Sequence, residues 1–477
     1  MSENSYRHIL KYTGVFGSVQ GLNVLLGLVR NKFVALILGP SGMGLVSLLN
    51  TTLTFMSQAT NLGIATSAVR HVSELFDAGD EVQLRHYIKV VRAWCLVAAV
   101  LGMALCFVVA PLLDVLSFSW GNHTLHFFLL APAVAMLAVT GGETAILKAT
   151  RRLRSLAMVQ VWTAVGALCL CVPLYYFFGE AAIVPVIVLT AFVSMVLTIV
   201  YSYRFYPLQL KGARQTLHEG IPMVKLGVAF IMASVVGSGS EMFIRFILNV
   251  KGNLDDVGLY NAAYMMTVTY AATVFSAIDA DYFPRLSAVN QLTSSSNALV
   301  NRQLEMSLLM VAPMLVAFII GLPILVPLLF SHEFLPIVSM TQLAALSMYL
   351  KVLTLPVAYL TLARGQSRAY FVLETLYYVF FVFSSWFCYV HWGLYGMGVA
   401  LLAAHVFDLL MIHVYARRQF GYRVSHWVVL YALAQVGLGV LAFGVTFIQN
   451  QSVYWGCGVL LFAVSLIFSL SVIRRKI

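Results

Sequence analysis

Gly27–Asn50 reads GLVRNKFVALILGPSGMGLVSLLN. Two cations, Arg30 and Lys32, stand inside a run otherwise apolar enough to cross a membrane. A Gly39-Pro40 turn follows, and a second apolar helix opens near Gly44. A charge at the bilayer centre costs roughly 3 kcal/mol or more, so intramembrane cations usually line a cavity or pathway. The stretch therefore sets the terms for the rest of the chain: a transmembrane hairpin whose first helix carries charge for a purpose.

The remaining sequence agrees with a membrane setting. Of 477 residues, 61% are hydrophobic and 10% charged, and mean hydropathy is +0.89; soluble domains carry about 25% charged residues. Apolar runs of about 20 residues, the length that spans a bilayer, recur from end to end. The expected fold is an all-α polytopic membrane protein of about fourteen transmembrane helices, beginning near 12–38 and 44–68 and ending near 453–473. Very short turns such as GPSGMG, FGE and HWGLYG alternate with longer, basic connections. The first apolar run is too long for a cleavable signal peptide and lacks a small-residue cleavage site.

Charge placement gives the orientation. Twenty-four of the 29 Lys and Arg residues fall on one side of the expected helices and only Lys251 on the other. The other four, Arg30, Lys32, Arg245 and Lys351, lie within helices or at their rims. Both termini are thus expected in the cytoplasm. The net charge of +11 is a topology signal, and a nucleic-acid partner is not expected. The six cysteines lie in apolar segments and read as core filler.

An internal repeat is visible. Arg30 precedes Gly44 by 14 residues and Arg245 precedes Gly258 by 13; Arg30 to Lys148 spans 118 residues and Arg245 to Arg364 spans 119. This pattern predicts one six-helix unit used twice with the same membrane orientation, related by an axis along the membrane normal. The expected division is an N-lobe at 1–205, a cytoplasmic linker at 206–220 and a C-lobe at 221–420. Residues 421–477 would supply two peripheral helices and the cytoplasmic C-terminus. Val72–Tyr87, with four acidic residues, reads as an amphipathic surface helix.

Several polar positions inside apolar runs are candidate site residues. At about 100° per residue, Asn23, Arg30 and Asn31 share one side of the first helix, and Lys32 points about 100° away from Asn31. Arg30 is the better candidate for a lumen, and Lys32 either faces a neighbouring helix or snorkels. In the seventh helix Ser234, Ser238, Glu241 and Arg245 form a stripe, with Glu241 and Arg245 in i,i+4 ion-pair order. A structural pair and a functional one are both open for them. Lys351 shares a face with Ser347 and Thr354 ahead of Pro356, which permits a bend. Glu374 is a candidate counter-charge, and His405 and Asp408 stand i,i+3 as a candidate proton relay. Asp279 and Asp281 read as a solvated helix end, Glu143 as either a gate or an interface residue. No Walker A sequence, soluble catalytic domain or metal-ligand spacing is present, so no cofactor, metal or catalytic residue is expected.

The run Arg30-Asn31-Lys32-Phe33-Val34-Ala35, continuing to Leu38-Gly39-Pro40-Ser41-Gly42-Met43-Gly44, resembles the first-helix signature of bacterial polysaccharide flippases. These belong to the multidrug/oligosaccharidyl-lipid/polysaccharide exporter superfamily. Phe243-Ile244-Arg245, Asp256-Val257-Gly258-Leu259-Tyr260 and Tyr282-Phe283-Pro284-Arg285-Leu286 resemble the family's later junctions, and the likeness covers roughly residues 10–418. It implies two six-helix lobes around a central cavity. It also implies flipping of undecaprenyl-pyrophosphate-linked oligosaccharide to the outer leaflet, driven by H+ or Na+, for surface polysaccharides such as O-antigen.

Under that resemblance Arg30, Arg245 and Lys351, with Lys32 and Asn23 nearby, are the expected pyrophosphate contacts. Asn261 and Tyr264 are expected to contact sugars, and Glu241, Glu374, Asp408 and His405 are the candidate ion couplers. The bilayer and polysaccharide assembly enzymes are the implied partners. The alternatives of the same fold are a multidrug/cation antiporter, which should present an acidic cavity, and a lipid II flippase. A non-transporting scaffold of an assembly complex is the reading outside transport.

Overall fold

The computed structural model describes residues 3–118, 123–208, 217–272, 275, 282–283, 285–287 and 293–476. Side chains are described from Gly21 onward, except at 226, 229–230 and 293–295. Among these residues the chain is helical, without strands. The long elements are α1 (Glu3–Thr60), α2 (Ile64–Ala78), α3 (Glu81–Ser117), α4 (Thr124–Ala149), α5 (Leu153–Phe178), α6 (Ile183–Tyr203) and α7 (Ile221–Lys251). There follow α8 (Leu254–Tyr264), α9 (Thr293–Leu329), α10 (Val338–Ala363), α11 (Ser367–Phe420), α12 (His426–Val445) and α13 (Gln451–Lys476). α1 and α11 each hold two membrane passes, and α2 is too short and polar to be one, so the expected count of about fourteen helices stands. Asp279 and Asp281, expected as a solvated helix end, lie outside the described residues.

Three hairpins turn on one glycine each. Gly39 inside α1 (φ 64°, ψ −167°) and Gly393 inside α11 (φ 57°, ψ −142°) break what is otherwise continuous helix. Gly179 after α5 (φ 58°, ψ −137°) leads through one turn of 3₁₀ helix into α6. That backbone region is essentially closed to any residue with a Cβ. The three glycines therefore reverse the chain with almost no non-helical linker, where the sequence pattern predicts short turns.

On the face bearing the basic connections the expected helix boundaries shift. The second pass ends at Thr60, well before residue 68, because Leu62 (φ 54°) and Gly63 (φ 65°) are left-handed. α2 follows and buries Ile64, Ser67, Ala68 and Val72 on one side. Arg70 and Glu74, bonded at 3.2 Å, stay in solvent on the other. The expected surface helix over Val72–Tyr87 does not form as one piece. Gly79 (φ 74°) closes α2, and the Asp80 carboxylate accepts from the Gln83 N–H at 3.0 Å to start α3. The amphipathic reading was right in kind, and the cap residues moved its limits.

The chain packs as two units, Met1–Gly258 and Leu259–Ile477. In the first, Ile64, Ala68 and Val72 pack with Leu84, Ile88 and Val91 of α3 and Ile146 of α4. Two glycine contacts fix α1 and α2 against the stretch from α7 to the start of α8. A Cβ on Gly44 would lie 2.0 Å from the Leu254 carbonyl oxygen, and one on Gly63 would lie 2.0 Å from the Gly227 oxygen. Such backbone-to-backbone approach is the small-residue packing used where lipid supplies no hydrophobic drive.

In the second unit, α12 and α13 pack onto α9 and α10. Tyr431, Ala442 and Tyr454 enter the core formed by α9 and α10. The Tyr454 hydroxyl donates to the Ile320 carbonyl at 2.6 Å, and Gln435 and Ser469 bond at 2.8 Å. Gly439 and Gly458 sit where a Cβ would collide with Tyr349 and Ile320. Lys476, in the last turn, pairs with the buried Glu305.

Candidate functional site

The intramembrane charges fall into four settings. Arg30, on α1, is half-buried and makes no hydrogen bond or ion pair among the described residues. It acts electrostatically on Cys171 and Tyr175, one turn apart on α5. Two turns earlier on α1, the Asn23 amide donates to the Gln160 side-chain oxygen of α5 at 3.5 Å. Lys32 is half-buried and Asn31 buried. A guanidinium with five donors, held in a membrane helix beside an amide, a thiol and a phenol, has the capacity to bind an anion.

Arg245 on α7, which the sequence spacing pairs with Arg30, is placed differently. Its side chain is buried; Nε donates to Ser47 Oγ of α1 at 2.8 Å and Nη1 donates to the Glu241 carbonyl at 3.0 Å. The Glu241 carboxylate lies 3.7 Å from Nη1 with about a third of its side chain exposed. The expected i,i+4 pair therefore forms, and Arg245 is also a strut between α7 and α1. A residue later in the same helix does similar work: Asn249 donates to the Ser117 carbonyl at 2.6 Å.

A third setting went unseen in the sequence. Arg92 of α3 and Glu143 of α4 form a bidentate pair at 2.7 and 3.1 Å, both buried. Ser202 Oγ donates to the same carboxylate at 2.6 Å, the Tyr203 ring lies 4.2 Å beneath the guanidinium, and Nη1 donates to the Pro207 carbonyl at 3.4 Å. Arg92 had been counted among the interfacial cations. Glu143, read as either a gate or an interface residue, joins α3, α4 and α6 through these bonds.

The fourth setting gathers Lys351, Glu374, His405 and Asp408 from α10 and both halves of α11. The Lys351 ammonium lies 5.7 Å from the centre of the Tyr377 ring and acts on both His405 and Asp408. His405 is buried; its Nδ1 faces the Leu401 carbonyl at 2.9 Å, which fixes a proton on that nitrogen because a carbonyl only accepts. Its ring meets Tyr377 edge-on at 5.6 Å. Asp408 is buried and within electrostatic reach of Glu374, which also acts on Tyr370. Ser347 and Thr354, on the Lys351 face, donate to carbonyls of their own helix, those of Ala344 and Leu350. Asn261 donates to the Met265 sulfur at 3.5 Å, and the Tyr264 ring lies tilted against Tyr260 with centroids 5.7 Å apart. No group of three or more potential metal ligands occurs among the described residues.

With a polytopic helical fold and these intramembrane charges in place, similarity to known proteins narrows the assignment. Residues 9–290 match the family described as "Polysaccharide biosynthesis protein". The chain belongs to that family. It is also 23% identical over 392 residues to the lipid III flippase of Escherichia coli (strain K12), covering 80% of this chain and 91% of that protein. The Shigella flexneri lipid III flippase matches equally. Among solved structures, the lipid II flippase MurJ in an inward closed conformation superposes with a TM-score of 0.72 at 12% identity, covering 97% of this chain and 99% of that one. An inward-facing multidrug resistance transporter of the MATE family gives 0.69 at 14% identity, over 84% of this chain and 94% of that one. The structural likenesses show that this member of the polysaccharide biosynthesis family has the fold of the MOP transporter superfamily.

Proposed function

We propose that this protein flips a polyprenyl-pyrophosphate-linked oligosaccharide from the inner to the outer leaflet of the bacterial cytoplasmic membrane for surface polysaccharide synthesis. Both termini would be cytoplasmic, and the cycle would be ion-coupled alternating access in which the two units reorient. The observation that carries the proposal is Arg30: an intramembrane guanidinium with no hydrogen-bond or ion-pair partner among the described residues. A pyrophosphate bears at least two negative charges and accepts charge-assisted, bidentate bonds from such a group. Arg245, already bonded to Ser47 and Glu241, would assist through its charge. Family membership and the lipid III flippase relatives support the lipid-linked substrate.

The lipid tail has a matching surface in the second unit. A groove of about 960 Å³ runs between α11 and α12, lined by Leu409, Leu410, Val414, Val428, Ala432 and Leu433 among others. Its lining is almost wholly apolar, which suits an isoprenoid chain at about 0.8 kcal/mol per buried methylene.

In cells depleted of the native copy, Arg30→Ala is expected to leave lipid-linked oligosaccharide accumulating on the cytoplasmic side, with Arg30→Lys partly active. Normal flipping by Arg30→Ala, with the variant present in the membrane at native level, would overturn the proposal.

A further inference from the structure

Gly365 turns the chain between α10 and α11 with a left-handed backbone (φ 68°). Its N–H and that of Gln366 bond back to the Leu362 and Thr361 carbonyls at 3.0 and 2.9 Å, and α11 starts with Gln366 as its N-cap. An N-cap side chain commonly accepts from the free N–H groups of the first helical turn. Gln366 does not: its Oε1 accepts from the Tyr415 hydroxyl at 2.7 Å, near the far end of the same helix. Around that bridge lies a cleft of about 560 Å³, lined by Gly365, Gln366, Ser367, Arg368, Tyr415 and Gln419. Small-molecule pockets span about 300–1,000 Å³.

The lining offers donors. The Arg368 guanidinium, the Ser367 hydroxyl and the Gln419 amide make no hydrogen bond or ion pair among the described residues, while the Gln366 oxygen is already engaged. Arg364, just before the turn glycine, lies 4.7 Å from the centre of the Phe420 ring, and its Nε is buried without a bond. Neither 362–373 nor 409–428 contains a carboxylate. An anion entering the cleft therefore meets positive charge and open donors, and a cation meets no counter-charge from these stretches.

Cations on this face of a membrane protein need no ligand to explain them, and the matching turn of the first unit shows the plain case. A spacing of 214 residues pairs Gly365 with Arg151 and Arg368 with Arg154. Arg151 is left-handed like Gly365 (φ 55°), and its guanidinium bonds to Asp77 of α2 at 2.7 Å. Arg152 lies over the Phe205 ring at 4.1 Å. Both are committed to the protein. In the second unit glycine takes the turn position, and the arginine that lines the cleft is uncommitted.

We propose that the cleft between the α10–α11 turn and the end of α11 binds a phosphate-bearing anion, at a site separate from Arg30. Arg368, Ser367 and Gln419 supply side-chain donors, and the first turn of α11 adds N–H groups at the positive end of its dipole. A guanidinium pairs with phosphate oxygens through parallel charge-assisted bonds. Two sources carry this chemistry at the end of a membrane helix: the phosphodiester of an anionic phospholipid headgroup, and a soluble phosphate or pyrophosphate. The site does not depend on which lipid-linked substrate the protein moves.

The test uses the purified full-length chain carrying Arg30→Ala, which removes the other proposed anion contact. Inorganic pyrophosphate binding is read by calorimetry in detergent. Phosphatidylglycerol binding, with phosphatidylcholine as the uncharged comparison, is read by native mass spectrometry. At least one of the two anionic probes should bind at about one per chain. Arg368→Gln should weaken that binding about ten-fold or more, as loss of a charge-assisted hydrogen bond implies, and Ser367→Ala should weaken it less. Arg417→Gln removes the same charge from the last turn of α11, outside the cleft lining, and should leave binding unchanged. Arg368 and Arg417 are both exposed, so neither change should move the unfolding midpoint. Pyrophosphate binding with this pattern identifies a soluble ligand, and the pattern with phosphatidylglycerol alone identifies a headgroup. Equal weakening by Arg368→Gln and Arg417→Gln would reduce the site to the general positive charge of this face and overturn the proposal. Binding that Arg368→Gln leaves intact, or no binding of either probe, would overturn it as well.

Discussion

At the scale of single residues, what the sequence reveals depends on where a charge finds its partner. Arg30 stands out because a cation interrupts an apolar run, and Glu241–Arg245 is readable because i,i+4 spacing fixes the contact within one helix. Arg92 and Glu143 are 51 positions apart on different helices, and nothing local to either announces the bond. Arg92 looks like any residue near a membrane boundary until α3 and α4 are packed. The same holds for Lys351, whose neighbours come from both halves of α11. The buried Arg92–Glu143 pair makes a clear prediction. Glu143→Leu strands a buried guanidinium and should destabilise the protein by about 3–5 kcal/mol. The double variant Arg92→Met/Glu143→Leu, with no charge left to strand, should recover most of the loss. Thermal unfolding in detergent measures both, and a double variant no better than the single one would contradict the account of the pair.

At the scale of elements, passes were legible and their ends were not. Length and hydropathy located each apolar run because a bilayer demands about 20 residues. The limits were set by single backbone positions such as Leu62, Gly63 and Gly79, whose left-handed conformations hydropathy does not report. Glycine also decides how closely helices meet. Gly44 lies where an added Cβ would sit 2.0 Å from a backbone carbonyl, which has no rotamer to escape into, whereas nothing lies within 4 Å of the Cβ position at Gly437. Gly44→Ala should therefore cost about 1–3 kcal/mol through overpacking, and Gly437→Ala should be neutral or slightly stabilising through helix propensity. Comparing the unfolding midpoints of the two variants checks this, and equal midpoints would show that the α1–α8 approach is not tight.

At the scale of the whole molecule, hydropathy and charge placement anticipated the helical membrane fold, and the spacing of special residues carries more. Gly44 and Gly258 are 214 positions apart, as are the hairpin glycines Gly179 and Gly393, and Arg30 and Arg245 are separated by 215. These intervals agree with the proposed duplication. The two arginines nonetheless differ in their settings. Arg245 is bonded to Ser47 and Glu241, and Arg30 keeps its donors unengaged among the described residues. Sequence periodicity finds the equivalent positions, and only packing shows which of them is committed to structure. The central claim is that the uncommitted guanidinium of Arg30 holds the pyrophosphate of a lipid-linked sugar. Native mass spectrometry of the purified full-length chain with undecaprenyl pyrophosphate tests it most directly. The wild type should retain the lipid. Arg30→Ala should bind it about ten-fold or more weakly, as loss of a charge-assisted hydrogen bond implies. Retention by Arg30→Ala equal to the wild type would contradict the claim.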